Sequence, residues 1–333
     1  MGALSAIRRL LSNPPRPALA ILGFHNITPT FSQPYLSPQF PSRFRALVRR
    51  CKRAYELVTV REAMARLDAG EPMDRPMLAF IFDDGYADMH EVIAPILLDE
   101  GATGTSYVVL DSLRQGGVPW YDELGRVLFR TRRPRLEIRQ RGQAVAVDLD
   151  DDPRQRVDAF WSLVRRLKSG FEPATLDAVQ ALASEHELAP HDPRTEPLMM
   201  TIDQAKALVA SGIEVGCHSR SHPILPSLDA AGLDSEIIQC RLDLEADLGS
   251  EVATFCYPNG DNDPRCVEKV AAAGYRAAVS MACGANLPGS LDRFRLRRAA
   301  MSEEITRLWP IHTALRVRSA LVAADQEALG LAN

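Results

Sequence analysis

The sequence predicts an α/β fold: a barrel of about seven parallel β/α units with an inserted α+β lid segment. Three observations point there. Short apolar runs alternate with helix-period patterns along most of the chain, which is the signature of parallel β/α architecture. Two of the helical patterns close on glycine, at Glu100-Gly101 and Ala273-Gly274, as a left-handed C-cap requires. The rhythm breaks once, from about residue 116 to residue 197.

In chain order, apolar runs of strand length predict strands over 18–24, Met77–Phe82, 105–110, 213–217, 253–257, 277–280 and 294–298. Helices are predicted over 44–52, Val60–Asp68, 89–100, 202–211, 233–248 and 264–273. A barrel of this kind carries its catalytic groups at the C-terminal ends of its strands. The interrupting stretch holds an aromatic patch (Pro119-Trp120-Tyr121), a hairpin over 136–140 and 144–149 around Arg141-Gly142, a helix over 156–168 and a polar segment over 185–197. It reads as an insertion over the barrel mouth, a lid that sets substrate specificity. The chain is therefore expected to be one domain spanning 1–333, with the insertion at about 116–197.

The 333 residues have 46% hydrophobic and 25% charged content, which is ordinary for a globular protein. A formal net charge of −4 and a pI near 6.0 give no nucleic-acid footprint. One run is basic: residues 130–141 hold six arginines against one glutamate, read either as a solvated face or as a contact for phosphate or an anionic membrane surface. Six scattered cysteines without a C-x-x-C pair suit a reducing compartment. No run approaches the roughly 18 apolar residues of a membrane span. Residues 5–12 read as a short amphipathic surface helix or a disordered tail, and Pro14-Pro15 interrupts the stretch that an export signal would need. The expected location is cytoplasmic, with peripheral membrane contact left open.

Two constellations carry chemistry. Phe82-Asp83-Asp84-Gly85-Tyr86 follows the strand Met77–Phe82 directly. Adjacent carboxylates at a strand end are costly unless a cation compensates them, and the two suit different jobs: one ligates a metal, the other takes a proton from water. Taken alone, an Asp-Asp-Gly turn is common. His218-Ser219-Arg220-Ser221-His222 follows another predicted strand, and two histidines at this spacing can converge on one cation. Together the constellations supply two imidazoles and one carboxylate, with positions open for water and substrate.

These two segments resemble the first two motifs of the polysaccharide deacetylase family, the NodB-homology carbohydrate esterases. The resemblance extends over most of the chain outside the insertion. It implies a distorted (β/α) barrel and a divalent ion, most often zinc, on Asp84, His218 and His222, with Asp83 as general base. A third segment, Phe255-Cys256-Tyr257-Pro258-Asn259-Gly260, is similar to the family's Arg-x-Pro-Tyr-Gly motif but departs from it. Cys256 stands where many members have arginine, and Asn259 where they have tyrosine. This form resembles the bacterial subgroup that builds surface polysaccharides. It implies Tyr257, Pro258 and Asn259 at the substrate or oxyanion position, with the Asn259 N–H as donor. The departure leaves open what orients Asp83, and an arginine from 295–298 on the last predicted strand is the proposed substitute. The closing leucine-x-histidine motif is not evident, since His312 lacks that context. His25, at the end of the first predicted strand, resembles the acid supplied from the N-terminal side in the permuted subgroup; the alternative is a buried structural histidine.

The implied activity is metal-dependent removal of N-acetyl groups from an amino sugar in a polysaccharide or glycoconjugate precursor, nucleotide-linked or lipid-linked. The alternatives are a deformylase of a lipid-linked formamido sugar and a non-catalytic carbohydrate-binding protein of the same fold. The expected partner is an N-acetylated sugar.

Overall fold

The computed structural model describes residues 19–300, except 29–40, 73, 170–172, 190–191, 193–197, 283, 285 and 287–290. The expectations for residues 5–12 and His312 lie outside the described residues.

The elements run in the order β1 (Leu19–Phe24), α1 (Pro41–Ala54), β2 (Glu56–Leu57), α2 (Val60–Asp68), β3 (Met77–Phe82), α3 (Ala94–Asp99) and β4 (Thr105–Val108). Next come α4 (Leu110–Gln115), α5 (Trp120–Arg130), β5 (Arg135–Gln140), β6 (Gln143–Asp148), α6 (Pro153–Ser169) and α7 (Pro173–Glu185). The chain then continues through α8 (Ile202–Ala210), β7 (Glu214–Cys217), α9 (Ala230–Leu233), α10 (Cys240–Leu248), β8 (Thr254–Cys256), α11 (Pro264–Ala272), β9 (Ala277–Val279) and β10 (Ala299–Ala300). The expected strands over 18–24 through 277–280 are all present, trimmed by a residue or two. Two of the expected long helices begin with π-helical turns, Met89–Ile93 before α3 and Asp234–Gln239 before α10. Helices α4, α5 and α7 are additional to the sequence reading.

The main sheet follows the order β10-β1-β3-β4-β7-β8-β9, with β2 beside β3, and its strand pairs are parallel. It curls into the expected distorted barrel, flanked by helices. The last predicted strand, 294–298, is the exception. It touches β9 through a single bridge, Val279 to Leu296, and then pairs with β1 as β10. Charged side chains at 295, 297 and 298 shorten this strand, yet the segment still closes the barrel between β9 and β1.

Alternation along the strands sorts the core. Both faces of β1 and β3 are buried, so their sequences are near-continuous apolar runs. Leu22, Phe24, Phe80 and Phe82 point outward to the helices, where Phe24 and Phe82 stack at 5.5 Å and Phe44 of α1 meets Phe82 edge-on at 5.7 Å. Leu19, Ile21, Met77, Ala79, Ile81, Tyr107, Cys256, Val279 and Leu296 form a separate inner cluster. One step further along each strand, the same parity places Asp83, His218 and Arg298 on the inside at the C-terminal mouth. At the opposite end, the buried Glu214 accepts hydrogen bonds from Thr254 Oγ1 at 2.6 Å, Thr105 Oγ1 at 2.8 Å and the Arg61 N–H at 2.9 Å. A buried carboxylate so partnered is a structural plug.

The inserted stretch has its own apolar cluster, in which Trp120, Leu124 and Leu128 of α5 meet Ile138 of β5, Phe160 and Leu163 of α6, and Leu182 of α7. Its basic run is partly paired: Arg135 bonds Asp148 at 3.1 Å, and Arg133 lies 3.7 Å from Glu187.

Gly216 is the tightest point of the barrel interior. A Cβ there would sit 2.5 Å from the Tyr107 ring and 2.9 Å from Thr254 Oγ1. Gly216→Ala is therefore expected to destabilise the fold by about 1–3 kcal/mol. Denaturant unfolding checks this, and an unchanged midpoint would show that Tyr107 yields freely.

Candidate active site

The two motif segments meet at the barrel mouth. β3 delivers Asp83 and Asp84, and β7 delivers His218, with His222 on the turn that follows. Asp84 (φ 73°), Ser219 (φ 66°), His222 (φ 60°) and Asn259 (φ 54°) all hold left-handed backbone conformations. Non-glycine residues adopt these rarely, and they gather where a site imposes its geometry. The histidine turn is braced from behind. The Glu236 carboxylate accepts from the Arg220 N–H at 2.8 Å, the Ser221 N–H at 3.0 Å and the Ser221 hydroxyl at 2.7 Å. The His222 N–H donates to Ser219 Oγ at 3.0 Å.

Asp84 Oδ1 lies 3.4 Å from His218 Nε2 and 3.5 Å from His222 Nε2, with all three side chains buried. One ligand atom from each falls within 4.8 Å of the others. Both carboxylate oxygens of Asp84 are buried without a hydrogen-bond partner. Burial works against the charge of Asp84, but the adjacent His218 imidazole, 3.4 Å away, and the fields of His25 and His222 outweigh it and hold the carboxyl well below the usual range. His218 Nδ1 lies 2.7 Å from the Cys256 carbonyl. A carbonyl only accepts, so Nδ1 carries a proton and Nε2 is the nitrogen turned to Asp84. Burial pushes His222 down to about 3, keeping it a neutral imidazole. Two imidazoles and a partnerless buried carboxylate fit a divalent cation of the zinc class.

Asp83 is placed differently. Its backbone N–H donates to the Phe24 carbonyl at 2.9 Å, and its Oδ2 receives Arg298 Nη1 at 2.5 Å. Burial opposes the Asp83 charge, while Arg298, His218 and His25 favour it, and the balance leaves its pKa lowered. Cys256 Sγ sits 3.6 Å from Asp83 Oδ1. Asp83, His218 and Cys256 also cluster tightly enough to suggest a ligand set. Chemistry disfavours them, because Asp83 is taken by Arg298 and burial beside Asp83 pushes the Cys256 thiol up. Gly23 on β1 makes the room, since a Cβ there would press on the Arg298 side chain at 3.2 Å.

His25 stands exposed at the rim, with Nε2 3.9 Å from Asp84 Oδ2. It is not a buried structural histidine. Asn259 lines the pocket, whereas the Tyr257 side chain is buried away from it, donating its hydroxyl to the Phe294 carbonyl at 3.0 Å. Pro258 is buried in the turn between them. The pocket, about 240 Å³, also takes in residues that the sequence reading did not single out as site residues: Phe160, Trp161, Val164 and Lys168 of α6, and Met281. The helical spacing of Trp161, Val164 and Lys168 could have shown that they share a face. Tyr86 ties the Asp-Asp turn to the insertion by donating to Asp122 Oδ2 at 2.7 Å.

The Asp83–Arg298 pair is fully buried, so Arg298→Met should leave an uncompensated carboxylate and cost about 3–5 kcal/mol. Adding Asp83→Asn to Arg298→Met should recover much of that loss. Denaturant unfolding of the four proteins of the cycle checks the coupling; additive losses would contradict it.

Comparison with known proteins bears on the fold and on the segment that carries the histidines. The family model described as polysaccharide deacetylase matches residues 137–278, a span holding both histidines but beginning after the Asp-Asp turn. No curated protein matches the chain. Among solved structures, the Streptococcus pyogenes deacetylase PplD in complex with acetate is similar at 14% identity and a TM-score of 0.58, over 87% of this chain and 95% of that one. IcaB from Ammonifex degensii aligns at 16% identity and a TM-score of 0.55, over 88% and 95%. The BpsB deacetylase domain from Bordetella bronchiseptica aligns at 14% and 0.51, over 87% and 98%. At these identities the likeness is one of fold. With the family match over residues 137–278 and the shared barrel, the chain resembles polysaccharide deacetylases both in its motifs and in its fold.

Proposed function

We propose that this protein is a metal-dependent carbohydrate N-deacetylase acting on an N-acetyl amino sugar in a polysaccharide or glycoconjugate precursor. The observation that carries this reading is the convergence of Asp84, His218 and His222, with both Asp84 oxygens partnerless, beside a second carboxylate held by Arg298.

Asp84, His218 and His222 would hold the cation, with zinc as the expected ion. When bound, such an ion polarises an amide carbonyl and lowers the pKa of water. The remaining steps fall to the chain's own groups. Asp83, kept ionised by Arg298, takes the proton of the attacking water. Arg298 also fixes which oxygen of Asp83 faces the pocket, since Oδ2 is engaged. The Asn259 N–H, presented by its left-handed turn, stabilises the developing oxyanion. His25, at the open rim, gives a proton to the leaving nitrogen. Tyr257 supports the turn from the core.

Placement in a reducing, cytoplasmic compartment rests on cysteine usage. Among the described residues, no helix is long and apolar enough to cross a membrane.

The test is acyl release by zinc-loaded protein from a panel of N-acetyl sugars and one formamido sugar. Acetate is the expected product, with Asp83→Asn slower by roughly 10²- to 10⁴-fold. Near-wild-type turnover by that variant would remove Asp83 from the mechanism, and formate release in place of acetate would make the enzyme a deformylase. His222→Ala is expected to lose the bound metal by elemental analysis while remaining folded, and retention of stoichiometric metal would contradict the ligand assignment.

A further inference from the structure

Helix α6, contributed by the insertion, supplies one wall of the pocket. Its residues Trp161, Val164 and Lys168 fall three, four and seven positions apart, so one face of the helix looks onto the site along two turns, about 10 Å. Most of that wall is apolar. Trp161 is 39% exposed and meets Phe160 edge-on at 4.9 Å, leaving it able to pack against a sugar ring. Lys168 differs. It is half-buried, lines the cavity, and among the described residues its ammonium makes no hydrogen bond or ion pair. Burial lowers its pKa, with the fields of Asp261 and Asp84 opposing the shift, and its own charge is felt at His222. Lys168 therefore lines the same pocket as His218 and His222, in which the Arg298 guanidinium is already engaged by Asp83.

A lysine placed this way is costly in the empty pocket and gains when an anion arrives. An oxyanion formed during hydrolysis would call for a donor acting on every substrate alike. An anionic group on the substrate would call for a donor that matters only when that group is present. The second fits a lysine carried by the insertion and set among apolar and aromatic groups, because the insertion is the part of the chain outside the barrel that holds the hydrolytic residues. We propose that Lys168 is a specificity residue, and that the substrate is an N-acyl amino sugar bearing a phosphate or carboxylate on the same or the adjoining unit. This rests on the deacetylase reading above and names its substrate class.

The test uses zinc-loaded full-length protein with three probes: N-acetylglucosamine 1-phosphate, N-acetylglucosamine joined to glucuronic acid, and neutral di-N-acetylchitobiose. Wild type should favour one anionic probe over the neutral one, and which of the two it favours distinguishes phosphate from carboxylate. Lys168→Met should lower kcat/KM for that probe roughly 10- to 100-fold, mainly through KM, and leave the neutral probe within about twofold. Lys168→Arg should restore most of the preference. If no probe releases acetate, the same probes are titrated by calorimetry into wild type and Lys168→Met. Failure of the hydrolytic reading then leaves the anion site tested on its own. Equal handling of charged and neutral probes by wild type would overturn the proposal. So would a preference that survives Lys168→Met, or an equal loss on all probes, which would assign Lys168 to the reaction itself or to the fold.

Discussion

Asp83 and Asp84 are consecutive, both are buried at the end of β3, and both are held ionised. Two carboxylates so close in a low-dielectric setting cannot both stay charged unless each has its own cation. The fold meets that demand in two ways. Arg298 reaches Asp83 from the segment that closes the barrel, and His218 and His222 face Asp84 at the end of β7, where a cation held among the three would supply the second positive charge. Much of the surrounding structure serves this division. Gly23 clears space for Arg298, Gly216 lets Tyr107 fill the barrel beneath the site, and Glu236 holds the histidine turn in its strained conformation.

The division also assigns chemistry. A carboxylate neutralised by a buried guanidinium cannot be displaced into a metal's coordination shell without leaving that guanidinium unpaired. It remains able to accept a proton on its other oxygen. A carboxylate with no hydrogen-bond partner, faced by two imidazoles, has nothing else to satisfy it. Neighbouring residues of the same type are thus given different partners from different parts of the chain, which suits one to the proposed ligand role and the other to the proposed base role.

The barrel was legible in the sequence because its strands are buried on both faces and read as unbroken apolar runs, as in Met77–Phe82. The candidate ligands were legible because they fall in two short segments at strand ends. Arg298 was harder to find, since its partnership with Asp83 spans 215 residues and depends on barrel closure by a charged segment that hardly looks like a strand. Local pattern could only narrow it to a range containing Arg295, Arg297 and Arg298. Tyr257 shows the converse: the motif drew its side chain into the site, but alternation after β8 turns the ring to the outer core. The wall built by α6 was hidden for another reason. Trp161 and Lys168 look like an ordinary amphipathic helix until the insertion is packed across the mouth.

The central claim is that the cation sits on Asp84, His218 and His222, not on the adjacent cluster of Asp83, His218 and Cys256. X-ray absorption at the zinc edge separates the two directly, because a thiolate ligand lies near 2.3 Å and oxygen and nitrogen ligands near 2.0–2.2 Å. Zinc-loaded protein is expected to show a shell of nitrogen and oxygen alone, with two imidazole signatures. A sulfur at about 2.3 Å would move the ion to Cys256, free Asp83 from Arg298, and contradict the assignment of ligand and base.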